Sequence, residues 1–168
     1  KMPMTSGILV GIGETPQERM ESLIVLRDLH RTYGHIQEVI IQNFCPKPDT
    51  KMAGVSGLPT DEFLRIVAAA RIILDDDVSV QVPPNLNDSR LSELIDAGMD
   101  DWGGISPVTL DHVNPEAPWP EVLRLEKICA AKGRPLVERL TAHPRFVCRE
   151  EDGWIDGKLR PAVLKLAD

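Results

Sequence analysis

The alternation of buried strands with helices constrains the fold of this chain more than any other feature of its sequence. Short, apolar, β-rich runs at 5–10, 38–44, 78–82 and 101–105 are separated by stretches in which apolar residues recur at helical spacing. Strands that alternate with helices of this length predict a parallel sheet with helical crossovers. Because the runs are continuously apolar, both faces of the sheet are expected to be buried.

Local start and stop signals set the expected helix limits. Thr15 followed by Pro16 indicates an N-cap and a first helical turn, and Gly34 indicates the end of the same helix. The remaining helices are predicted over 59–74, 88–97 and 118–132, and a short fifth extended piece is predicted over 136–140.

Both a TIM-type (β/α) barrel and an open doubly wound sheet fit this α/β pattern. The barrel is favoured because polar residues follow the strands at their carboxyl ends, which form the active face of such barrels. Four strand–helix units make half of a complete barrel. The candidate site residues at these ends are Gly11, Gly13, Glu14, Gln42, Asn43, Gln81, Asn85, Trp102 and Ser106.

The turn after the first strand and the amides after the next two have two interpretations each. Gly11 and Gly13 permit close approach of a ligand to the backbone, or they form a tight turn without a ligand. Gln42 and Asn43 suit the edge of a heterocycle, or one of them bonds neighbouring backbone. The same choice applies to Gln81.

Composition excludes several classes of partner. The 168 residues suffice for one domain, and 19 basic against 26 acidic residues give a net charge of −7. This balance argues against nucleic acid, whose partners carry clustered Lys and Arg. No apolar run approaches the roughly 20 residues that span a bilayer, so no membrane is expected and the cytosol is the expected location.

The cysteine pattern argues against a metal site built from this chain. Cys45, Cys129 and Cys148 are widely separated and form no C-x-x-C pair. Zinc and iron–sulfur sites need several closely spaced ligands. No Ser–His–Asp or Cys–His arrangement can be assembled either, so hydrolase chemistry is not supported.

Several longer stretches resemble one family, the radical S-adenosyl-L-methionine (SAM) deazaflavin synthases. They are spread in order over nearly the whole chain, and the region DWGGISPVT with DHVNPEAPWP is the most specific. The other matching stretches are TSGILVGIGET, ERMESLIVLRDLHRTYGHIQEVIIQNF, KPDTKM, VQVPPNL and GRPLVERL.

The resemblance implies that residues 1–168 are the C-terminal portion of a radical SAM barrel, with its fifth to eighth strands and their helices. The residues implied to line the cofactor SAM are Gly11, Gly13, Glu14, Gln42 and Asn43. Those implied to face a small-molecule substrate are Gln81, Asn85, Trp102 and Ser106.

The implied chemistry begins with reductive cleavage of SAM by a 4Fe–4S cluster. The resulting radical abstracts hydrogen from a tyrosine-derived 5-(4-hydroxybenzyl) ribityl-diaminouracil adduct. Ring closure with loss of ammonia then gives 7,8-didemethyl-8-hydroxy-5-deazariboflavin (FO), in coenzyme F-420 biosynthesis. In such enzymes the cofactor performs the difficult step, while the protein orients the substrate.

One departure from the family concerns the cluster. The family's C-x-x-x-C-x-x-C motif is absent from this sequence, so the ligands are expected outside it, in a missing N-terminal barrel half, and the isolated chain is expected to be inactive. The start at Lys1, directly before a strand, agrees with an excerpt. The expected partners are that missing half or a companion synthase component. The alternative is a free-standing half-barrel that serves in binding or assembly and self-associates through exposed sheet edges.

Overall fold

The computed structural model describes residues 2–106, 108–148 and 153–167, and its centre is a parallel three-stranded sheet with the strand order β1–β2–β3. The strands are β1 (Met4–Val10), β2 (Ile36–Asn43) and β3 (Ser79–Gln81). The helices are α1 (Pro16–Tyr33), α2 (Thr60–Ile73), α3 (Leu91–Asp96), α4 (Val122–Ala131), α5 (Pro144–Val147) and α6 (Arg160–Ala167), with a 3-10 segment over Asn85–Arg90. The predicted α/β class with a parallel sheet is confirmed.

Helix α1 is delimited as its sequence predicts. The Thr15 hydroxyl accepts the backbone N–H of Glu18, and the Glu18 carboxylate accepts the backbone N–H of Thr15. This reciprocal capping box satisfies two donors that the first turn would otherwise leave free. Gly34 closes the helix in the left-handed conformation, with φ 63°, and its N–H donates to the carbonyl of His30.

The helices cover one face of the sheet, and the other face carries a different set of strand side chains. Val39 and Ile41 of β2 are fully buried, in one core with Leu23 of α1 and Phe63 of α2. Since side chains alternate along a strand, Glu38, Ile40 and Gln42 project from the opposite face, which is called the inner face below. On β1 the inner-face side chain of Leu9 remains 41% exposed, so this face is only partly covered by the described residues.

The predicted fourth strand over 101–105 is wrong in extent. It is reduced to a single bridge in which Asp101 pairs with Gln81, and Val82 donates its N–H to the Asp101 carbonyl. Gly103 has a φ of 72°, which leaves the extended conformation, and its N–H bonds the side chain of Asp101 instead of a strand. The ladder therefore ends after one residue.

Two other predicted elements differ from the structure. Residues 136–140 form no strand within the described part of the chain, and the side chain of Arg139 connects this segment to Glu38 of β2. The helix predicted over 88–97 is interrupted at Arg90, whose φ of −133° separates the 3-10 segment from α3. The helix predicted over 118–132 begins at Val122, after extended Glu121.

None of the helices within the described ranges has the length and apolar character needed to cross a bilayer.

The capping box yields a stability prediction. Thr15→Ala removes the hydroxyl that accepts the Glu18 N–H, so the free energy of unfolding should fall by about 1 kcal/mol. Urea denaturation followed by circular dichroism measures this change. The control is Thr32→Ala in the last turn of α1, where the exposed hydroxyl bonds the Asp28 carbonyl and caps no free N–H. Equal destabilisation by both substitutions would contradict the capping role.

Candidate functional site at the carboxyl ends of the strands

The turn that follows β1 is organised by the side chain of Glu14. Its carboxylate accepts the N–H groups of Gly11 at 2.7 Å and of Ile12 at 2.8 Å, while Gly11 and Gly13 have φ values of 93° and 110°. The N–H groups of Gly11 and Ile12, which could otherwise bind an anionic ligand, are therefore already bonded. A side-chain carbon at Gly13 would meet nothing within 4 Å, so the backbone there is open to a ligand.

A buried arginine fixes Glu14 from the other side. Arg19 Nε lies 2.6 Å from Glu14 Oε1, and Arg19 Nη1 lies 2.5 Å from Glu62 Oε1, which connects α1 to α2. Burial alone would raise the pKa of Glu14, but the hydrogen bonds from Gly11 and Arg19 outweigh it and lower the pKa to about 2. Glu14 is thus a fixed anion that shapes the turn.

The two amides at the end of β2 have different surroundings. Asn43 donates to the Leu86 carbonyl at 3.5 Å and accepts from Asn87 Nδ2 at 3.0 Å, so it holds the 3-10 segment against the sheet. Gln42 points from the inner face, and within the described residues its side chain forms no hydrogen bond. Gln42 is therefore the amide that remains available to a ligand.

Gln81 is the second available amide on the inner face. It is 9% exposed, and no described residue forms a hydrogen bond with its side chain. The register pairs Gln81 with Ile40, two residues before Gln42, so the two glutamines are diagonal neighbours on one face. The described residues leave this amide without a partner but do not enclose it, so it can bond a polar ligand.

The next two candidates are held in the loops that follow β3. Asn85 Nδ2 donates to Asp111 Oδ2 at 2.9 Å and to the Ala117 carbonyl at 3.2 Å, which anchors the 111–117 loop. Ser106 accepts the N–H of Thr109 at 3.0 Å and its hydroxyl at 2.6 Å, as in a local turn.

Trp102 lies in the hydrophobic core and is 6% exposed. Its indole Nε1 donates to the sulfur of Cys129 at 3.3 Å. Trp102 and Gln81 line the same cavity, of about 990 Å³. Of the predicted site residues, the structure places Gln81 and Trp102 on this cavity, and Gln42 lies beside Gln81.

A group of charged residues on the inner face is absent from the sequence prediction. Glu38, Asp101 and His143 place potential ligand atoms within 4.8 Å of one another, and Arg139 bonds both carboxylates. The lone acid in an otherwise apolar part of β2 is the signal that could have indicated this cluster. Its partners lie far along the chain, where sequence spacing carries no information about contact.

Comparison with known proteins gives strong matches along nearly the whole chain. The chain is 53% identical over 167 residues to the FO synthase of Streptomyces coelicolor and 46% identical over 168 residues to that of Mycobacterium tuberculosis. It is 50% identical over 167 residues to the 7,8-didemethyl-8-hydroxy-5-deazariboflavin synthase of Methanoculleus marisnigri. Each match includes 99% of this chain, but 19%, 20% and 48% of the respective relative. No family model and no solved structure matches the chain.

The low pKa of Glu14 predicts a pH-dependent contribution to stability. Because the pKa falls from an ordinary value of 4.5 to about 2 on folding, the contribution is complete above pH 4.5 and is lost as the pH falls towards 2. Glu14→Gln should therefore lower the free energy of unfolding at pH 7 by about 2 kcal/mol, with a smaller difference at pH 3.

Urea denaturation at both pH values measures this difference. The control is Glu21→Gln on the exposed side of α1, where Glu21 accepts a hydrogen bond from Gln17. A loss for Glu14→Gln that stays constant from pH 7 to pH 3 would show that its charge does not organise the turn.

Proposed function

We propose that this chain, which matches a segment of proteins named FO synthase over 99% of its length, forms part of an enzyme that produces FO. The observation that carries the proposal is the 46–53% identity, maintained from one end of the chain to the other. The chain spans about a fifth of some relatives and about half of others. The names of both groups give this same product.

The unpaired edge of the sheet supports the proposal that this chain is part of a larger barrel. In our proposal residues 1–168 provide the fifth to eighth strands of a radical SAM barrel. The sheet order leaves the outer edge of β1 without a partner strand among the described residues. A sheet edge of this kind is normally paired or covered, as a further barrel strand would do.

SAM is the proposed cofactor that fits residues of this chain. The open backbone at Gly13 and the unbonded amide of Gln42 would contact the bound SAM, and Glu14 would hold the turn in place. SAM, when bound, supplies the group that removes hydrogen from the substrate.

The 4Fe–4S cluster does not fit the cysteines of this chain. Cys129 is buried, with its sulfur against Trp102, Cys148 is exposed and Cys45 lies after β2. The proposal therefore assigns the cluster ligands to another part of the protein, a missing barrel half or a companion component.

The inner-face amide of Gln81 is proposed to bind the substrate. Gln81 would offer both a donor and an acceptor to the edge of a uracil-like ring, close to Gln42 on the neighbouring strand. Asn85 has a side-chain oxygen that accepts no bond from the described residues, so it can accept one from the substrate. Trp102 would shape the same cavity, and Ser106 would hold the loop that follows Trp102 through its bonds with Thr109.

A free-standing half-barrel with a binding or assembly role is the alternative. It is not favoured, because the relatives matched over 99% of the chain have the names of synthases.

The two free amides provide the test of this function. In an intact synthase that carries this segment, Gln42→Ala and Gln81→Ala should each lower kcat/KM for FO formation by about tenfold, the equivalent of one lost hydrogen bond. Anaerobic assay of FO formation measures the effect. The matched control is Gln17→Ala on α1, which removes an exposed glutamine that bonds Glu21 and should leave kcat/KM unchanged. Unchanged kcat/KM in all three folded variants would contradict the proposed site.

A further inference from the structure

The charged cluster of Glu38, Asp101, Arg139 and His143 lies on the inner face of the sheet. The side chains of Glu38 and Asp101 are 6% and 11% exposed, and Thr5 of β1 donates its hydroxyl to Glu38. The potential ligand atoms of the two carboxylates lie within 4.8 Å of each other. Two negative charges at this distance repel each other, and burial strengthens the repulsion. The cluster therefore needs a cation that contacts both.

Arg139 is that cation. Its Nη2 donates to Glu38 Oε2 at 2.6 Å, and its Nε donates to Asp101 Oδ2 at 2.7 Å. A third nitrogen, Nη1, donates to the Leu140 carbonyl at 2.9 Å, which fixes the guanidinium relative to its own backbone. The planar fork of arginine suits such a bridge, whereas a lysine ammonium is a single point charge.

The cluster is better explained by this bridge than by a metal ion. The potential ligand atoms of Glu38, Asp101 and His143 lie within 4.8 Å of one another, but both carboxylates already bond Arg139. Burial raises the pKa of Glu38, yet hydrogen bonds from His143 and Thr5 and the charge of Arg139 lower it below its ordinary value. The cluster is therefore electrostatically satisfied as it stands.

Asp101 connects Arg139 to Gly103 through the two oxygens of its carboxylate. Its Oδ2 bonds Arg139, while its Oδ1 accepts the N–H of Gly103 at 2.6 Å. Gly103 in turn contacts Gln81 so closely that a side-chain carbon added to it would lie 2.2 Å from Gln81 Nε2. The Gly103 backbone therefore lies directly beside the Gln81 amide and occupies the space on one side of it.

We propose that Arg139 is a positioning residue, which orients the Gln81 amide through Asp101 and the Gly103 turn. Arg139 itself does not contact the reacting atoms in this proposal. The assignment of the substrate to Gln81 rests on the proposed function, but the mechanical connection from Arg139 to Gln81 does not.

The connection is tested first by NMR spectroscopy of the 168-residue chain. Arg139→Met should accelerate hydrogen exchange of the Gly103 amide by about tenfold, because Asp101 loses the partner that holds it in place. The side-chain amide resonances of Gln81 should shift in the same variant. The control is Arg31→Met, which removes a pair between the last turn of α1 and Asp75, just after α2, and should change neither signal.

A second variant covers the case in which Arg139→Met does not fold. Arg139→Lys retains the positive charge but has one nitrogen in place of the two that bond Glu38 and Asp101. The chain should therefore fold, while Gly103 still exchanges faster than in the parent chain because the planar fork is lost. Parent-like exchange of Gly103 and parent-like Gln81 resonances in Arg139→Lys would overturn the proposal.

A double-mutant cycle in the intact synthase tests the consequence for the reaction. Arg139→Lys should raise KM for the substrate by about tenfold with a smaller effect on kcat, and Gln81→Ala combined with Arg139→Lys should lose no more than Gln81→Ala alone. Additive losses would show that Arg139 does not act through Gln81. If the intact parent synthase forms no FO, the proposed function fails, and the NMR comparison still decides the positioning role.

Discussion

The bridge that Arg139 makes between Glu38 and Asp101 connects the sheet to a segment that forms no strand of its own. A parallel sheet is stable when both of its faces are covered. Helices α1 and α2 cover the outer face with a conventional apolar core. On the inner face, the segment around Arg139 is held to β2 and to the single bridge after β3 by charge-assisted hydrogen bonds. Hydrogen bonds of this kind are directional, so they fix position as well as supply energy.

The same division of the sheet explains why the candidate site lies where it does. Side chains of the outer face at the strand ends, such as Asn43, are used to hold the following loop. Side chains of the inner face, Gln42 and Gln81, keep their amides free of partners among the described residues. Glu14 performs a comparable structural task after β1, where its carboxylate organises the glycine turn. Residues that shape the site and residues that are free to bind therefore alternate along the chain.

Much of this arrangement could be predicted from the sequence, because its signals are local. The limits of α1 follow from Thr15, Pro16 and Gly34, and the parallel sheet follows from the order of its elements. The end of the fourth strand could not be predicted from local signals, since it depends on a bond between the Asp101 side chain and the Gly103 backbone. The charged cluster depends on contacts between residues about 100 positions apart, such as Glu38 with Arg139. The distinction between Gln42 and Asn43 likewise required the register of the sheet. The assignment of strands five to eight and the roles of individual site residues stay predictions.

Our central proposal is that this chain provides the substrate-facing portion of an enzyme that forms FO. The most direct measurement replaces the matching segment of the Streptomyces coelicolor FO synthase, which is 53% identical over 167 residues, with this chain and assays FO formation under anaerobic conditions. The account predicts that the chimera forms FO, whereas the isolated 168-residue chain supplied with iron, sulfide and SAM forms neither FO nor 5′-deoxyadenosine. A folded chimera that cleaves SAM but forms no FO would contradict it.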